Sequence, residues 1–339
     1  MSWMAARRTF TRWSPIGLVL LLLAVPAGVN AYLKIGISTN SGVIALTWAA
    51  FPIQYFVTST DAAGVTAQQL QTAVDQSFGE WTSVATASVS SQFVGFTTTG
   101  PSSANNQTII GFESHPELPT VLGSTSWQLD ANGHVMAANI FLNTVFPWSV
   151  ATPGVANRFD VRSIVMHEIG HIFGLGHSAL GETQVVTGGR AVLGKAAVMF
   201  PIAYSPGSTV DRALEPDDIA GLSDLYPTAA FRTQYGQISG RVTLNGAGVF
   251  GAHLWAIDQR TGTKVGAFSL DNSGDFVISG LTPGLYLVRA EPLDDADLDS
   301  FFDTSTVVNI NFRVAYYPKQ VAVPPGGASG AIEIKVVSK

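Results

Sequence analysis

The chain of 339 residues is 46% hydrophobic and only 12% charged, carries a formal net charge of −6 and contains no cysteine. This composition excludes a disordered polymer, a disulfide-stapled scaffold and any thiol chemistry. Its acidic balance leaves no electrostatic footprint for nucleic acid or an anionic lipid surface.

The first stretch reads as an address. Arg7, Arg8 and Arg12 precede an apolar run from Ile16 to Val25, Pro26 breaks that run, and Val29-Asn30-Ala31 offers small residues at signal-peptidase spacing. Residues 1–31 are expected to be a cleaved export signal, because the apolar core is well short of the ~20 residues that a bilayer span requires. Arg7-Arg8-Thr9-Phe10 partly matches a twin-arginine signal, so the general secretory and twin-arginine routes both stay open. The membrane then enters only through this signal, and the mature chain is expected to be secreted or periplasmic.

From Gly42 to Tyr226 strand and helix patterns mix. Ile53 to Val57 reads as a strand, and Thr66 caps a helix whose apolar residues Leu70, Val74, Phe78 and Trp81 recur at helical spacing. Val89 to Phe96 and Thr108 to Phe112 read as further strands. Val121 to Trp127 and Val135 to Leu142 follow as two strands joined by a hairpin across Asn132-Gly133. Asp160 is the expected N-cap of a helix carrying Val161, Ile164, Val165, Ile169 and Ile172.

That helix runs into His167-Glu168-Ile169-Gly170-His171-Ile172-Phe173-Gly174-Leu175-Gly176-His177, a window holding three of the six histidines. His167 and His171 lie four residues apart and project from one helix face, so both can reach one ion. Gly174 can take positive φ, end the helix and turn the chain so that His177 arrives as a third ligand. Three neutral imidazoles leave a tetrahedral zinc with one position open to water, which is a catalytic pattern rather than a closed structural one, and Glu168 stands beside them as general base. The 21 residues between His177 and Met199 hold Gly181, Gly188, Gly189 and Gly194, and are expected to form a mobile excursion flanking the cleft. A last helix starts at Glu215-Pro216-Asp217-Asp218, with proline at its first position and two carboxylates at the positive end of its dipole.

After a linker at 229–236, residues 237–339 alternate strands with turns. Ile238 to Val242, Ala252 to Ile257, Asp275 to Ile278 and Gly284 to Arg289 are strand-like runs. His253 reads as a strand residue. Asp294, Asp295, Asp297 and Asp299 read as a solvated acidic loop.

The extended histidine motif followed by Val198-Met199-Phe200-Pro201 is the metzincin signature. Ser178 directly after the third histidine, Leu70 to Trp81, the Met199-Phe200-Pro201 turn and Leu214 to Leu222 resemble the matrixin-like branch in particular. The resemblance covers most of residues 42–228. Pro201 stands where the astacin and serralysin branches carry a tyrosine.

The resemblance implies an α+β metzincin domain at 32–228, a mixed twisted sheet with about three helices, acting as a zinc endopeptidase on protein or peptide substrates. One zinc would be held by His167, His171 and His177, and an extended substrate would lie along Leu122, Gly123 and Ser124. Tyr204 would wall the specificity pocket. Met199 and Pro201 would floor the site, with Asp217 and Asp218 holding the last helix against that turn. A cysteine latch on the zinc is unavailable to this chain. His115 and His134, with Glu117 and Asp130, fall short in number and spacing of a second zinc site. Calcium stays open, since loop-oxygen sites need no fixed motif.

Gly280-Leu281-Thr282-Pro283-Gly284-Leu285-Tyr286 resembles the carboxypeptidase-regulatory-like domains, which implies an all-β, transthyretin-like sandwich at 237–339. The competing reading is a binding or adhesion protein that keeps the metzincin fold as a scaffold. The presence of Glu168 speaks against it, because a scaffold needs no general base.

Overall fold

The computed structural model describes residues 34–39, 42–103 and 106–339. The export signal expected at 1–31 lies outside them. No helix among the described residues is long and apolar enough to cross a membrane.

The chain enters through two short paired strands, β1 (Gly36–Thr39) and β2 (Gly42–Ala45). Then come β3 (Thr47–Trp48), β4 (Ile53–Thr58), α1 (Ala67–Thr82), β5 (Ser91–Thr97), β6 (Thr108–Glu113), β7 (Gly123–Leu129) and β8 (His134–Asn143). They build a six-stranded sheet of order β3-β8-β6-β4-β5, parallel throughout, with β7 added antiparallel to β8. The hairpin expected across Asn132-Gly133 is the β7–β8 connection. Since β7 pairs with β8 alone among the described strands, its outer edge carries unpaired backbone donors and acceptors.

Two one-step parallel strands, β9 (Trp148–Ser149) and β10 (Phe159–Asp160), lead into α2 (Val161–Ile172). Thr66 caps α1, accepting from Gln69 N while Gln69 returns the bond to the Thr66 amide, and Asp160 caps α2 by accepting from Ser163 N at 2.8 Å. Leu70, Val74, Phe78 and Trp81 on α1 and Ile164, Val165, Ile169 and Ile172 on α2 are buried in one core with Ile53, Tyr55 and Val57 of β4 and Ile140 and Leu142 of β8. The Trp81 indole donates to Met166 O at 2.9 Å, which fixes α1 against α2.

Two expectations need correction here. The glycine-rich excursion after His177 is a hairpin of β11 (Gly181–Val186) and β12 (Gly189–Lys195), with Gly188 in positive φ at its turn. Those glycines mark a turn and a strand edge, so the stretch expected as an irregular excursion is built of paired strands. Besides α1, α2 and α3 (Pro216–Leu225) there is a fourth helix, α4 (Ala229–Gln234), within the stretch read as linker. Thr228 caps it, and buried Phe231 stacks on Tyr235.

The regular elements of the remainder are strands, apart from one 3-10 turn at Leu298–Ser300: β13 (Gly236–Leu244), β14 (Ala247–Gly248), β15 (His253–Asp258), β16 (Lys264–Phe268), β17 (Asp275–Leu281), β18 (Gly284–Glu291), β19 (Ala315–Tyr316), β20 (Val321–Val323) and β21 (Ile332–Val336). One sheet runs β14-β13-β17 with β21 parallel to β13. The other runs β16-β15-β18-β19 with β20 also on β18. Ile238, Val242, Phe276 and Ile278 of the first share a core with Leu254, Ala256, Val265 and Val288 of the second.

Candidate metal centre

His167 and His171 sit one turn apart on α2. The helix ends on Phe173, and Gly174 follows at φ +94°. Gly174 N donates to His171 O and Leu175 N to Gly170 O, a pair of bonds that closes the last turn and reverses the chain. A Cβ on Gly174 would stand 2.1 Å from Leu46 O, so glycine is demanded both by the backbone angle and by the neighbouring chain. The reversal brings His177 back beside the helix: the three ring centroids are 4.8, 4.9 and 5.3 Å apart, and their ligand atoms all lie within 4.8 Å of one another.

Each imidazole is oriented from behind. Nδ1 of His167 meets Val198 O at 2.8 Å, Nδ1 of His171 meets Leu175 O at 2.8 Å, and Nδ1 of His177 meets Ser300 O. A carbonyl oxygen only accepts, so all three Nδ1 atoms carry the proton and each Nε2 is left as a lone-pair donor. Burial holds His171 down to about 3 and His177 to about 4, and holds His167 well below the ordinary histidine range. The rings are therefore neutral at pH 7. Three neutral, tautomer-fixed imidazoles with converging nitrogens fit a zinc ion.

Glu168 is buried, and its Oε2 accepts from Thr125 Oγ at 2.7 Å. Burial pushes its carboxyl up to about 8, with the Thr125 hydroxyl opposing that rise. A Cβ on Gly123 would come 3.1 Å from Glu168 Oε1, which places the start of β7 directly against the carboxylate. Ser124 is half-buried next to it. Leu122 is buried in the core. The Trp127 indole donates to His171 O at 3.0 Å.

Met199 is buried under α2. A Cβ on Gly170 would stand 2.2 Å from Met199 Sδ, so that glycine lets the turn approach the helix. Asp218 accepts from Val198 N at 2.8 Å, Met199 N at 3.1 Å and Glu215 N at 2.9 Å, fixing both the turn and the start of α3. Because Val198 O is the acceptor for His167, this carboxylate is two hydrogen bonds removed from one of the three histidines that could hold a metal ion. Asp217 accepts from Ser178 Oγ at 2.6 Å and from Gly266 N at 2.7 Å. Pro201 is buried just beyond the turn. Tyr204 is half-exposed with the Lys195 ammonium 5.3 Å from its ring centroid, and no described contact joins it to the histidines.

Thr125, Gly170 and Ser300 were not picked out from the sequence. The first two sit within the expected β7 strand and histidine helix, but which residue of that strand meets Glu168 is set by its pairing with β8. Ser300 carries no sequence signal. The acidic loop around it was read as solvated, whereas Leu293, Ala296, Phe301 and Phe302 are buried against Ala179, Phe200 and Ile202. Apolar residues interleaved with the aspartates seat the loop. A cavity lined in part by His177, Ser178, Asp217, His253 and Phe268 lies at the same junction, and His253 is a buried β15 residue bonded to Glu291 at 2.9 Å.

His115 lies between Glu113 and Glu117, and His134 pairs with Asp130. Glu113 aligns with Asn143 at one end of β8 and His134 stands at the other, nine residues away at about 3.3 Å each. Among the described residues the histidine triad is the one group of three or more metal-ligating side chains.

Residues 47–227, just over half of the chain, match the family model described as matrixin. No curated protein is a significant match. Among solved structures, the Bacillus anthracis TIE protein is 15% identical over 31% of this chain and 17% of its own, with a TM-score of 0.21. The dioxygenase domain of a dioxygenase carbohydrate-binding protein fusion from Streptomyces sp. SirexAA-E is 13% identical over 33% of this chain and 85% of its own, with a TM-score of 0.20. The chain thus spans under a fifth of the first structure's length.

Proposed function

The chain belongs to the matrixin family of metallopeptidases, and on that premise we propose that it is an exported zinc endopeptidase in which His167, His171 and His177 hold one zinc ion and Glu168 is the general base. The observation that carries this reading is the set of three rings whose Nδ1 protons are committed to carbonyls, beside a buried carboxylate that a single hydroxyl steadies.

Bound zinc would supply a water acidified toward pKa ~7 and would polarise the scissile carbonyl. Thr125 keeps Oε2 of Glu168 in one place, so the carboxylate can take a proton from that water and return it to the departing amine without a change of rotamer. The free edge of β7 pairs with an extended peptide through backbone hydrogen bonds, so affinity comes largely without side-chain selection. Gly123 presents bare backbone next to Glu168, which lets the substrate chain pass close to the base. Residues 32–228 form the protease domain in this reading, and 237–339 an appended carboxypeptidase-regulatory-like sandwich.

The test joins zinc stoichiometry on the purified chain to digestion of a diverse peptide library by the wild type and by Glu168→Ala. One zinc per chain, cleavage by the wild type and none by the variant is the expected result. A chain that binds zinc while both versions leave the library uncut overturns the reading.

A further inference from the structure

The acceptor for His177 lies 123 residues downstream, beyond the segment that matches the family model. It is the carbonyl of Ser300, in the turn that follows β18. The two other histidines are oriented by carbonyls from residues 175 and 198, inside the family-like segment. A third of the rear support of the metal centre therefore comes from the C-terminal sheets.

Three sets of contacts seat that turn and its loop, and two more join the family-like segment to the C-terminal sheets. Phe301 and Phe302 pack with Phe268 against Ala179, Phe200 and Ile202, the residues flanking the third histidine and the methionine turn. The Thr183 hydroxyl donates to Asp295 O, and Arg190 donates to Asp294 O at 3.2 Å, so the β11–β12 hairpin is strapped to the same loop. Asp217 divides its oxygens between Ser178, next to His177, and the amide of Gly266 in β16. Ala220 of α3 is buried in the core of the C-terminal sheets, where a Cβ on Gly280 would meet it at 2.6 Å. The chain on either side of the third histidine, the residues just past Met199 and one face of the last helix thus touch the C-terminal sheets and their loop.

We infer that the C-terminal sheet pair is the intramolecular partner that completes the metal centre, with the Asp297–Phe302 turn acting as a positioning element that fixes the tautomer and orientation of His177. The inference rests on the proposed zinc site. An imidazole that loses its rear acceptor can rotate and present either tautomer, and loss of such a partner typically weakens metal affinity 10–100-fold.

The experiment uses the full chain. Phe301→Ala/Phe302→Ala removes the anchors of the turn and touches no ligand, Phe301→Leu/Phe302→Leu restores apolar volume, and Phe276→Ala weakens the C-terminal core away from the junction. Zinc Kd is measured by chelator competition at a temperature where circular dichroism shows every variant folded, and release of the turn is followed by hydrogen exchange at residues 297–302. The expected result is a Kd 10–100-fold weaker for the alanine pair, recovery within about threefold for the leucine pair, and little change for Phe276→Ala. A wild-type Kd in an alanine pair whose turn exchanges freely overturns the inference. An equal loss in Phe276→Ala does so as well, by assigning the effect to general loosening. Failure of the wild type itself to bind zinc would instead sink the proposed function.

Discussion

Thr125→Val keeps the shape of the side chain and deletes one O–H. In the wild type that hydroxyl, 2.7 Å from Glu168 Oε2, opposes the burial that pushes the carboxyl up to about 8. A hydrogen bond to a charged acceptor contributes about 1.5–3 kcal/mol and one to a neutral acceptor about 0.5–1.5. The difference, about 1–1.5 kcal/mol, corresponds to roughly one further unit of upward shift. Because the folded carboxyl titrates above its unfolded value, its charge opposes folding: the contribution of Glu168 to the stability of the metal-free chain is fully present below pH ~4.3 and is lost as pH rises to about 8. In Thr125→Val that fall extends about one unit higher, so the substitution costs about 1 kcal/mol near pH 5 and about 2 above pH 9. Urea titrations of the metal-free protein at the two pH values measure this directly. With zinc bound, the acid limb of kcat/KM moves up by roughly one unit, so activity on that limb drops about tenfold while the alkaline plateau is spared. A penalty that is the same at every pH, in both stability and kcat/KM, would show that Thr125 only fills space.

Asp160→Ala removes the cap of the histidine helix and the counter-ion of the Arg212 guanidinium, which donates to the same carboxylate at 2.9 Å and would keep only neutral acceptors at residues 150–152, so it should cost about 3–5 kcal/mol in urea unfolding. Asp160→Asn, which keeps the cap, should cost clearly less, and equal costs would contradict the argument. Gly174→Ala places a methyl group 2.1 Å from Leu46 O at a φ of +94°, and should lower zinc affinity at least tenfold by displacing His177, read by chelator competition. Burial, with the Asp218 charge adding, pushes Asp217 up to about 7; its ionisation therefore opposes folding, and this part of the stability is lost as pH rises from ~4 through about 7. The difference in Tm between Asp217→Asn and wild type, both metal-free, should grow in favour of the variant across that window, and a flat difference would refute the assignment.

The histidine helix was legible because everything in it is local. A 3.6-residue period sets the buried face, Asp160 starts it, Gly174 stops it, and the ligands fall within eleven positions. The hairpin at Asn132-Gly133 and the capping of α1 by Thr66 were legible for the same reason. Register was not. Whether β7 sets Thr125 or Ser126 against Glu168 depends on pairing with β8 and on packing over α2, which no spacing encodes. The strands of the glycine-rich stretch after His177 were not legible either, because glycine marks both turns and irregular chain, and only strand partners tell the two apart.

The contact between His177 and Ser300 is the extreme case of that limit. A backbone carbonyl is present at every residue, so nothing in the type of residue 300 announces an acceptor, and the aspartates around it suggested exposure to solvent. What seats the turn is apolar: Leu293, Ala296, Phe301 and Phe302 alternate with charges that stay at the rim, where Arg190 and Lys339 meet Asp297 and Asp294. The charges set the character of the loop in one dimension, while the four buried side chains set its position in three. The family-like segment carries every expected ligand and the base, yet the acceptor behind its third histidine is a carbonyl from the loop after β18. On the inference drawn above, that one hydrogen bond and the packing that holds it are the physical route by which the C-terminal sheets would act on the chemistry.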